Sequence, residues 1–207
     1  MPDTYISTDQ IIQSQFAFGG RNRNLPWYPR HGTRVHLAKL FCELKFYNGV
    51  EVGTRDGTFA KILCENNPQL ALYCVDPWAA YSTRTQAMMD KFYEEAKLNL
   101  TNFRCNLIRK PSLEAVLEFK DGTLDFVFID GNHIFDHTIR DIIEWSAKVK
   151  YGGIIAVHDY DPFCGNDVVK AVNAYTQAHD IRPWYVTREL PTTAFWVKQA
   201  DSQIGGH

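Results

Sequence analysis

Hydrophobic and polar residues along this chain form blocks that switch between a strand-like and a helix-like spacing. Five short apolar runs have the length and composition of buried strands; they lie at about 49–53, 70–76, 103–108, 124–129 and 154–157. Segments with apolar residues at helical intervals separate them, at about 57–67, 85–99, 111–119 and 134–149. Strands that alternate with helices predict an α/β fold in which a parallel sheet is covered on both faces.

The two ends of the chain extend this pattern. Helical spacing is also present at about 8–16, 33–45 and 167–178. The segments 184–187 and 193–197 are strand-like and lie close enough for an antiparallel hairpin around Pro191. We therefore predict a doubly wound, mostly parallel, seven-stranded sheet with a C-terminal antiparallel hairpin.

Composition and charge exclude several classes of protein. The chain has 207 residues and 45% hydrophobic residues, which suits a single domain with one sizeable core. Its formal charge of −2 provides no basic field for general nucleic-acid binding. The five cysteines are odd in number and lack a Cys-x-x-Cys pair, which disfavours both a disulfide framework and a zinc ribbon. We expect reduced thiols.

The sequence shows no sign of a membrane protein. No apolar run approaches the roughly 20 residues of a membrane span, and the first residues lack a basic segment followed by an apolar one. The expectation is a cytoplasmic protein without membrane contact. Whether it is a monomer or a homo-oligomer stays open.

The first strand run breaks into a glycine turn with the pattern Glu51-x-Gly53-x-x-x-Gly57. Glycine permits unusual dihedral angles and lets a ligand approach the backbone closely. The second run ends at Asp76, about where a βαβ unit places a ribose-binding carboxylate. Each residue also has a purely structural alternative: Glu51 pairs with a basic residue, Asp76 caps a turn, and Gly57 permits close helix packing.

Two later strand runs end in residues capable of chemistry. One stops at Asp130-Gly-Asn-His133 and the next at His158-Asp159-Tyr. Ligands bind outside the carboxyl ends of the strands in open α/β sheets. We therefore expect these side chains to share one edge with Glu51, Gly53 and Asp76.

The order of these elements resembles the class I S-adenosylmethionine (SAM)-dependent methyltransferases, in particular the branch that methylates small-molecule and sugar oxygens. The resemblance covers about residues 45–198 and rests on the glycine turn, Asp76 and the strand ends at Asp130 and His158. It implies a Rossmann-like core at 46–198 within a single domain 1–207, with a covering segment at 1–45 and a tail at 199–207.

The resemblance also implies a SAM site. Glu51 would orient the ammonium group, Gly53 would let the backbone approach the methionine portion, and Asp76 would accept hydrogen bonds from the ribose hydroxyls. Trp78 or Leu113 would flank the adenine, with Ser112 nearby. The residues assigned to cofactor binding are Glu51, Gly53, Gly57, Asp76, Trp78, Ser112, Leu113 and Asp130.

Asp130, His133 and His158 are the candidate catalytic residues, with two mechanisms open. In the first, Asp130 and Asp159, with a histidine or waters, hold a hard divalent ion such as Mg²⁺, which lowers the pKa of a bound hydroxyl. The similar O-methyltransferases have two acidic residues at the second strand end. This chain has His158-Asp159 there, and therefore one carboxylate fewer. In the second, His133 or His158 is a general base. The spacing of His133 and His137 also fits a zinc site, but no third ligand is evident.

Two other functions remain as alternatives. A nicotinamide enzyme prefers Gly-x-Gly-x-x-Gly after the first strand, whereas Arg55 occupies the position of its second glycine. The other alternative is a subunit that binds a cofactor or nucleotide without turnover. The predicted function is O-methylation of a small-molecule or sugar hydroxyl. The acceptor pocket is formed by loops and is not encoded in a motif.

Overall fold

The computed structural model describes residues 7–16, 26–30, 32–164 and 166–200. Their strands form one sheet in the order β3-β2-β1-β4-β5-β7-β6. The first five strands pair in parallel, and β7 is antiparallel to both β5 and β6. This confirms the predicted sheet and hairpin. The strands are β1 (Asn48–Val52), β2 (Ala71–Val75), β3 (Cys105–Ile108), β4 (Leu124–Ile129), β5 (Val149–Val157), β6 (Tyr185–Val186) and β7 (Ala194–Val197).

Seven α-helices of the described residues lie where the apolar periodicity predicts them. They are α1 (Thr8–Gln15), α2 (Arg34–Glu43), α3 (Thr58–Asn66), α4 (Gln86–Leu100), α5 (Ser112–Ala115), α6 (Phe135–Lys148) and α7 (Asn166–Ala178). Side-chain caps begin several of them: Ser7 caps α1, Thr33 caps α2 and Thr85 caps α4. Within the described ranges, no helix has both the length and the apolar composition to cross a membrane.

The apolar core lies on both faces of the sheet. One face is covered by α1, α2 and α3, where the ring of Phe41 stacks on Phe126 with centroids 4.1 Å apart. The other face is covered by α6 and α7, where Ile142, Trp145 and Val172 are fully buried. The strands therefore form the middle of three layers, as an α/β domain requires.

The structure corrects one predicted boundary. The sequence predicts that the fifth strand begins at about residue 154, but β5 already begins at Val149, directly after α6, and includes Gly152 and Gly153. The pairing of β5 with β4 shifts register there. A Cβ on Gly153 would lie 2.5 Å from the carbonyl oxygen of Asp125. Glycine is thus needed for close strand approach at a bulge.

Part of the predicted covering segment extends the sheet edge. The Trp27 amide donates to the Trp184 carbonyl at 2.8 Å, and the Val186 amide donates to the Trp27 carbonyl at 3.1 Å. Trp27 therefore pairs alongside β6. Residues 21–25 and His31 of the same segment, and the predicted tail beyond residue 200, lie outside the described residues.

Candidate functional site

The carboxyl ends of four strands bring Asp76, Gly53, Asp130 and His158 into one row. The amides of Gly53, Asp130 and His158 each donate to the carbonyl of the last residue in the neighbouring strand, at 2.7, 2.7 and 2.9 Å. Parallel pairing therefore continues one residue beyond the strands, and the side chains at these positions lie along one edge. The predicted convergence of residues far apart in sequence is confirmed.

Gly53 contacts the backbone of Asp130. Its φ is +89°, and a Cβ built on it would lie 2.0 Å from the Asp130 carbonyl oxygen. The chain itself thus requires glycine here, whether or not a ligand approaches. Gly57 precedes α3 with φ +77°, and its Cβ would lie 3.2 Å from the Cα of Ala96 in α4. Its place agrees with the helix-packing alternative.

Asp76 is a buried carboxylate that organises the loop around it. Its Oδ2 accepts a hydrogen bond from the Arg55 amide at 2.9 Å, and its Oδ1 accepts one from the Trp78 amide at 2.7 Å. Burial raises the pKa of Asp76, and these two hydrogen bonds oppose that rise. Each carboxylate oxygen has a further lone pair, so capping the loop leaves Asp76 able to accept from a diol.

Trp78 and Leu113, the two candidates for the adenine contact, differ in exposure. Trp78 is fully buried against Met89 and Ala96, and its Nε1 donates to the Arg55 carbonyl at 2.7 Å. This placement does not support an adenine contact by Trp78, because its ring faces the protein interior. Leu113 is 36% exposed in the first turn of α5. Of the two, only Leu113 has surface available to a ligand.

Glu51 is a buried acid with an unsatisfied oxygen. Its residue is 3% exposed, and its Oε2 has no hydrogen-bond partner among the described residues. Burial raises the pKa of Glu51 well above its usual range, and the charges of Asp130 and Asp76 add to the rise. No basic residue in the described part of the chain forms an ion pair with it, contrary to the structural alternative. Such a carboxylate fits a ligand that brings a positively charged donor.

Asp130, His133 and Asp159 form a compact polar cluster. The Nε2 of His133 lies 3.5 Å from Oδ1 of Asp130 and 3.0 Å from Oδ2 of Asp159. Hydrogen bonds to the two carboxylates raise the pKa of His133 to about 10. Although burial acts in the opposite direction, His133 and His158 lower the pKa of Asp159. At neutral pH His133 is therefore an imidazolium and has no free lone pair to accept a proton.

The same three residues present ligand atoms within 4.8 Å of one another. Two carboxylates and one imidazole are common ligands of divalent ions. The structure thus places Asp130 and Asp159 close together, and His133 is the histidine beside them. His137 is not part of this group.

Comparison with known protein families decides the assignment. A family model described as a methyltransferase domain matches residues 50–160, more than half of the chain. The chain belongs to this methyltransferase family. The match includes Glu51, Asp76 and the cluster at Asp130, and it does not favour the nicotinamide enzyme. A search of curated proteins found no match to the sequence of this chain.

Solved structures share the fold at low sequence identity. The O-methyltransferase TomG from Streptomyces achromogenes, involved in tomaymycin synthesis and bound to SAM, has 15% identity and a TM-score of 0.61, covering 81% of this chain and 80% of that one. An O-methyltransferase from Bacillus cereus bound to SAH (S-adenosylhomocysteine) has 15% identity and a TM-score of 0.59, covering 92% and 90%. Spermidine synthase from Thermotoga maritima has 14% identity and a TM-score of 0.59, covering 79% and 58%.

His158 of the methyltransferase lies between Asp159 and the guanidinium of Arg34. Its Nδ1 lies against Asp159, 3.3 Å from Oδ1 and 2.7 Å from the backbone nitrogen, and its Nε2 lies 3.2 Å from Nη1 of Arg34. The Asp159 amide donates to Nδ1, and the Arg34 guanidinium next to Nε2 can only donate, so both ring nitrogens face donors of the protein. Because neither ring nitrogen is left for a substrate hydroxyl and the residue is 5% exposed, the placement does not support His158 as the general base.

Arg34 and Asp141 are site residues that the sequence analysis missed. Asp141 of α6 accepts a hydrogen bond at 2.6 Å from Ser112, whose Oγ accepts one at 2.8 Å from Nε1 of Trp145. Burial raises the pKa of Asp141 to about 6. One signal was available: Asp141 is an acid on the apolar stripe of α6, next to Ile142 and four residues before Trp145. Arg34 carried no comparable signal.

Proposed function

We propose that this chain is a SAM-dependent enzyme that transfers a methyl group to an oxygen of a small-molecule or sugar hydroxyl. The main support is the row of strand ends, which puts the unsatisfied carboxylate of Glu51 near Asp76 and Asp130. A nucleoside with a cationic amino-acid end suits such an acidic edge. TomG and the Bacillus cereus enzyme, which share the fold, bind SAM and SAH.

The proposed cofactor contacts follow from the chemistry of each side chain. Glu51 binds the ammonium group, because its Oε2 is buried and the residues that the structure describes offer it no donor. Asp76 accepts from the two ribose hydroxyls with the lone pairs that its backbone hydrogen bonds leave over. Ser112 and Leu113 lie at the adenine end, where Asp141 fixes the Ser112 hydroxyl.

The reaction is an in-line displacement, in which the bond from the methyl carbon to sulfur breaks as its bond to the acceptor oxygen forms. The hydroxyl proton leaves to a carboxylate or to solvent, and SAH is the second product. Alignment of the hydroxyl by the edge that contains Asp130 and Asp159 supplies most of the rate enhancement. Neither His133, which is protonated, nor His158, which faces Arg34, is placed as the base.

Asp130, His133 and Asp159 would hold a divalent cation such as Mg²⁺. Their ligand atoms are close enough together, and two of the three are the carboxylate oxygens that such ions prefer. Bound there, the ion would lower the pKa of an acceptor hydroxyl. His133 would have to give up its proton to become a ligand, so cation affinity rises with pH.

The cysteines of the described residues support a reducing location. Cys42, Cys64, Cys74 and Cys105 are free thiols. The Sγ atoms of Cys64 and Cys105 lie 3.4 Å apart without a bond. Free thiols so close together suit the cytoplasm, where proteins are kept reduced.

Two measurements test the function. Isothermal titration with SAH should show saturable binding, and absence of binding to folded protein would refute the proposal. Transfer of a labelled methyl group from SAM to a panel of hydroxylated metabolites should then show turnover. SAH binding without transfer to any member of a broad panel would favour the non-catalytic subunit.

A further inference from the structure

Arg34 places a positive charge at the edge where the proposed cofactor binds. It is the first residue of α2, and its guanidinium carbon lies 5.2 Å from the ring centroid of Phe59. Its Nη1 lies 3.2 Å from Nε2 of His158. Its side chain is half-buried, and no carboxylate of the described residues forms an ion pair with it. Glu189 is nearby but accepts from the Arg34 backbone amide instead.

Arg34 lies on the same face of the sheet as Glu51. In the parallel register Glu51 pairs with Phe128 of β4, and Phe128 pairs with Ala156 of β5, so these side chains point to one face. The ring of Phe59 lies 4.3 Å from that of Phe128, centroid to centroid, and the guanidinium carbon of Arg34 lies 5.2 Å from the Phe59 centroid. Phe59, and Arg34 with it, therefore lie on the face of the sheet to which Glu51 points.

Glu51 and Arg34 do not pair with each other. Oε2 of Glu51 has no partner among the described residues, and Arg34 forms no ion pair there. A buried acid without a donor and a half-buried guanidinium without an anion are both unfavourable, and the two occur on the same face. One strand separates β1 from β5, so their axes lie about 10 Å apart. A ligand group that carries an ammonium and a carboxylate on adjacent atoms would satisfy both.

We propose that Arg34 binds the carboxylate at the amino-acid end of the cofactor, while Glu51 binds the ammonium group. This inference rests on the proposed function. It adds a residue that recognises the carboxylate of the cofactor's zwitterionic amino-acid end. A guanidinium has five donors in a planar fork that matches the two oxygens of a carboxylate. The contact with His158 uses one of them and leaves the others available.

His158 is a positioning residue in this arrangement. Its Nε2 lies 3.2 Å from Nη1 of Arg34, and its Nδ1 lies 3.3 Å from one carboxylate oxygen of Asp159, whose other oxygen contacts His133. The imidazole therefore fixes the guanidinium relative to the cluster at Asp130. The contact with the Phe59 ring further limits the movement of the Arg34 guanidinium. The long, flexible side chain of Arg34 is thereby preorganised for ligand binding.

The test compares SAH with its decarboxylated analogue, which keeps the nucleoside and the amine and lacks only the carboxylate. Isothermal titration should show that the wild-type protein binds SAH about 10- to 100-fold more tightly, as expected for charged hydrogen bonds. Arg34→Gln should abolish this preference and leave the affinity for the analogue unchanged. Arg34→Lys should retain part of it. Lys39→Gln, which removes an exposed cation from the same helix, is the matched control and should behave as wild type.

Each other outcome counts against the assignment. Equal affinity of the wild type for both ligands, or a preference that survives in Arg34→Gln, overturns the inference and leaves the cofactor site in place. An equal loss for both ligands in Arg34→Gln also overturns it, because Arg34 would then act on the fold. An unchanged SAH affinity with a raised KM for the acceptor would assign Arg34 to the acceptor instead. Failure of the wild type to bind either ligand would refute the proposed function as well.

Discussion

Gly53 and Asp130 touch through their backbones, since a Cβ on residue 53 would lie 2.0 Å from the Asp130 carbonyl oxygen. Gly53→Ala must therefore move the end of β1 away from the end of β4. We expect it to lower the free energy of unfolding in urea by at least about 3 kcal/mol, because a strained φ alone costs about 1–3 kcal/mol.

Gly122→Ala is the matched control for this prediction. Gly122 also has a positive φ, +68°, but nothing lies within 4 Å of its Cβ position. We expect a loss of about 1 kcal/mol, which is the strain alone. Equal losses in the two variants would show that the contact with Asp130 is unimportant.

Asp76→Asn tests the ribose contact. The alanine variant would leave the amides of Arg55 and Trp78 without an acceptor and so disturb the loop. Asparagine keeps one carbonyl oxygen but replaces the other acceptor with a donor. We expect SAH affinity by isothermal titration to fall at least about tenfold, with a smaller change in Tm. Asp121→Asn, an exposed acid before β4, should leave SAH affinity unchanged; a similar loss there would contradict the assignment.

Asp159→Asn tests the cation site. With the charge of Asp159 removed, Asp130 and His133 remain as the only two members of the described cluster. We expect affinity for Mn²⁺, followed by electron paramagnetic resonance, to fall at least about tenfold, in line with the loss of a metal ligand. A chelator should also abolish methyl transfer, and added Mg²⁺ should restore it. Full activity after chelation would eliminate a required ion.

Asp141→Asn tests the buried acid beside Ser112. Burial holds the pKa of Asp141 at about 6 against an ordinary value of 3.8, so the folded protein binds this proton more tightly than the unfolded chain. The stability that the neutral acid contributes is present below about pH 4 and is lost as the pH rises to about 6. The variant should gain stability relative to wild type across that window, by about 1.4 kcal/mol for each unit of pKa difference.

The exposed Asp121 should show the opposite sign. Lys148 lowers the pKa of its carboxyl, so its contribution is present at higher pH and is lost as the pH falls. The measurement is thermal unfolding of the variants and wild type from about pH 2 to pH 7, because the contribution of Asp121 is lost only as the pH falls below the ordinary carboxyl pKa of 3.8. A difference between Asp141→Asn and wild type that does not change with pH would show that Asp141 is not a shifted acid.

The positions of the strand ends could be predicted from the sequence, but the contacts of their side chains could not. Asp76, Asp130 and His158 each follow an apolar run, and parallel pairing places such residues at one edge. The orientation of each side chain depends on its neighbours. The ring of Trp78 is buried because it packs against Met89 and Ala96 of α4. His158 contacts Arg34, which lies 124 residues earlier in the chain.

By itself the sequence determined the alternation of strands and helices, the order of the acidic and glycine positions, and the resemblance to methyltransferases. These follow from patterns within a few residues, where periodicity and turn chemistry act directly. Only the tertiary structure decided that two carboxylates raise the pKa of His133, that Oε2 of Glu51 has no donor among the described residues, and that Arg34 contacts His158 and Phe59. Such properties depend on burial and on distances between layers, which arise when the helices pack on the sheet.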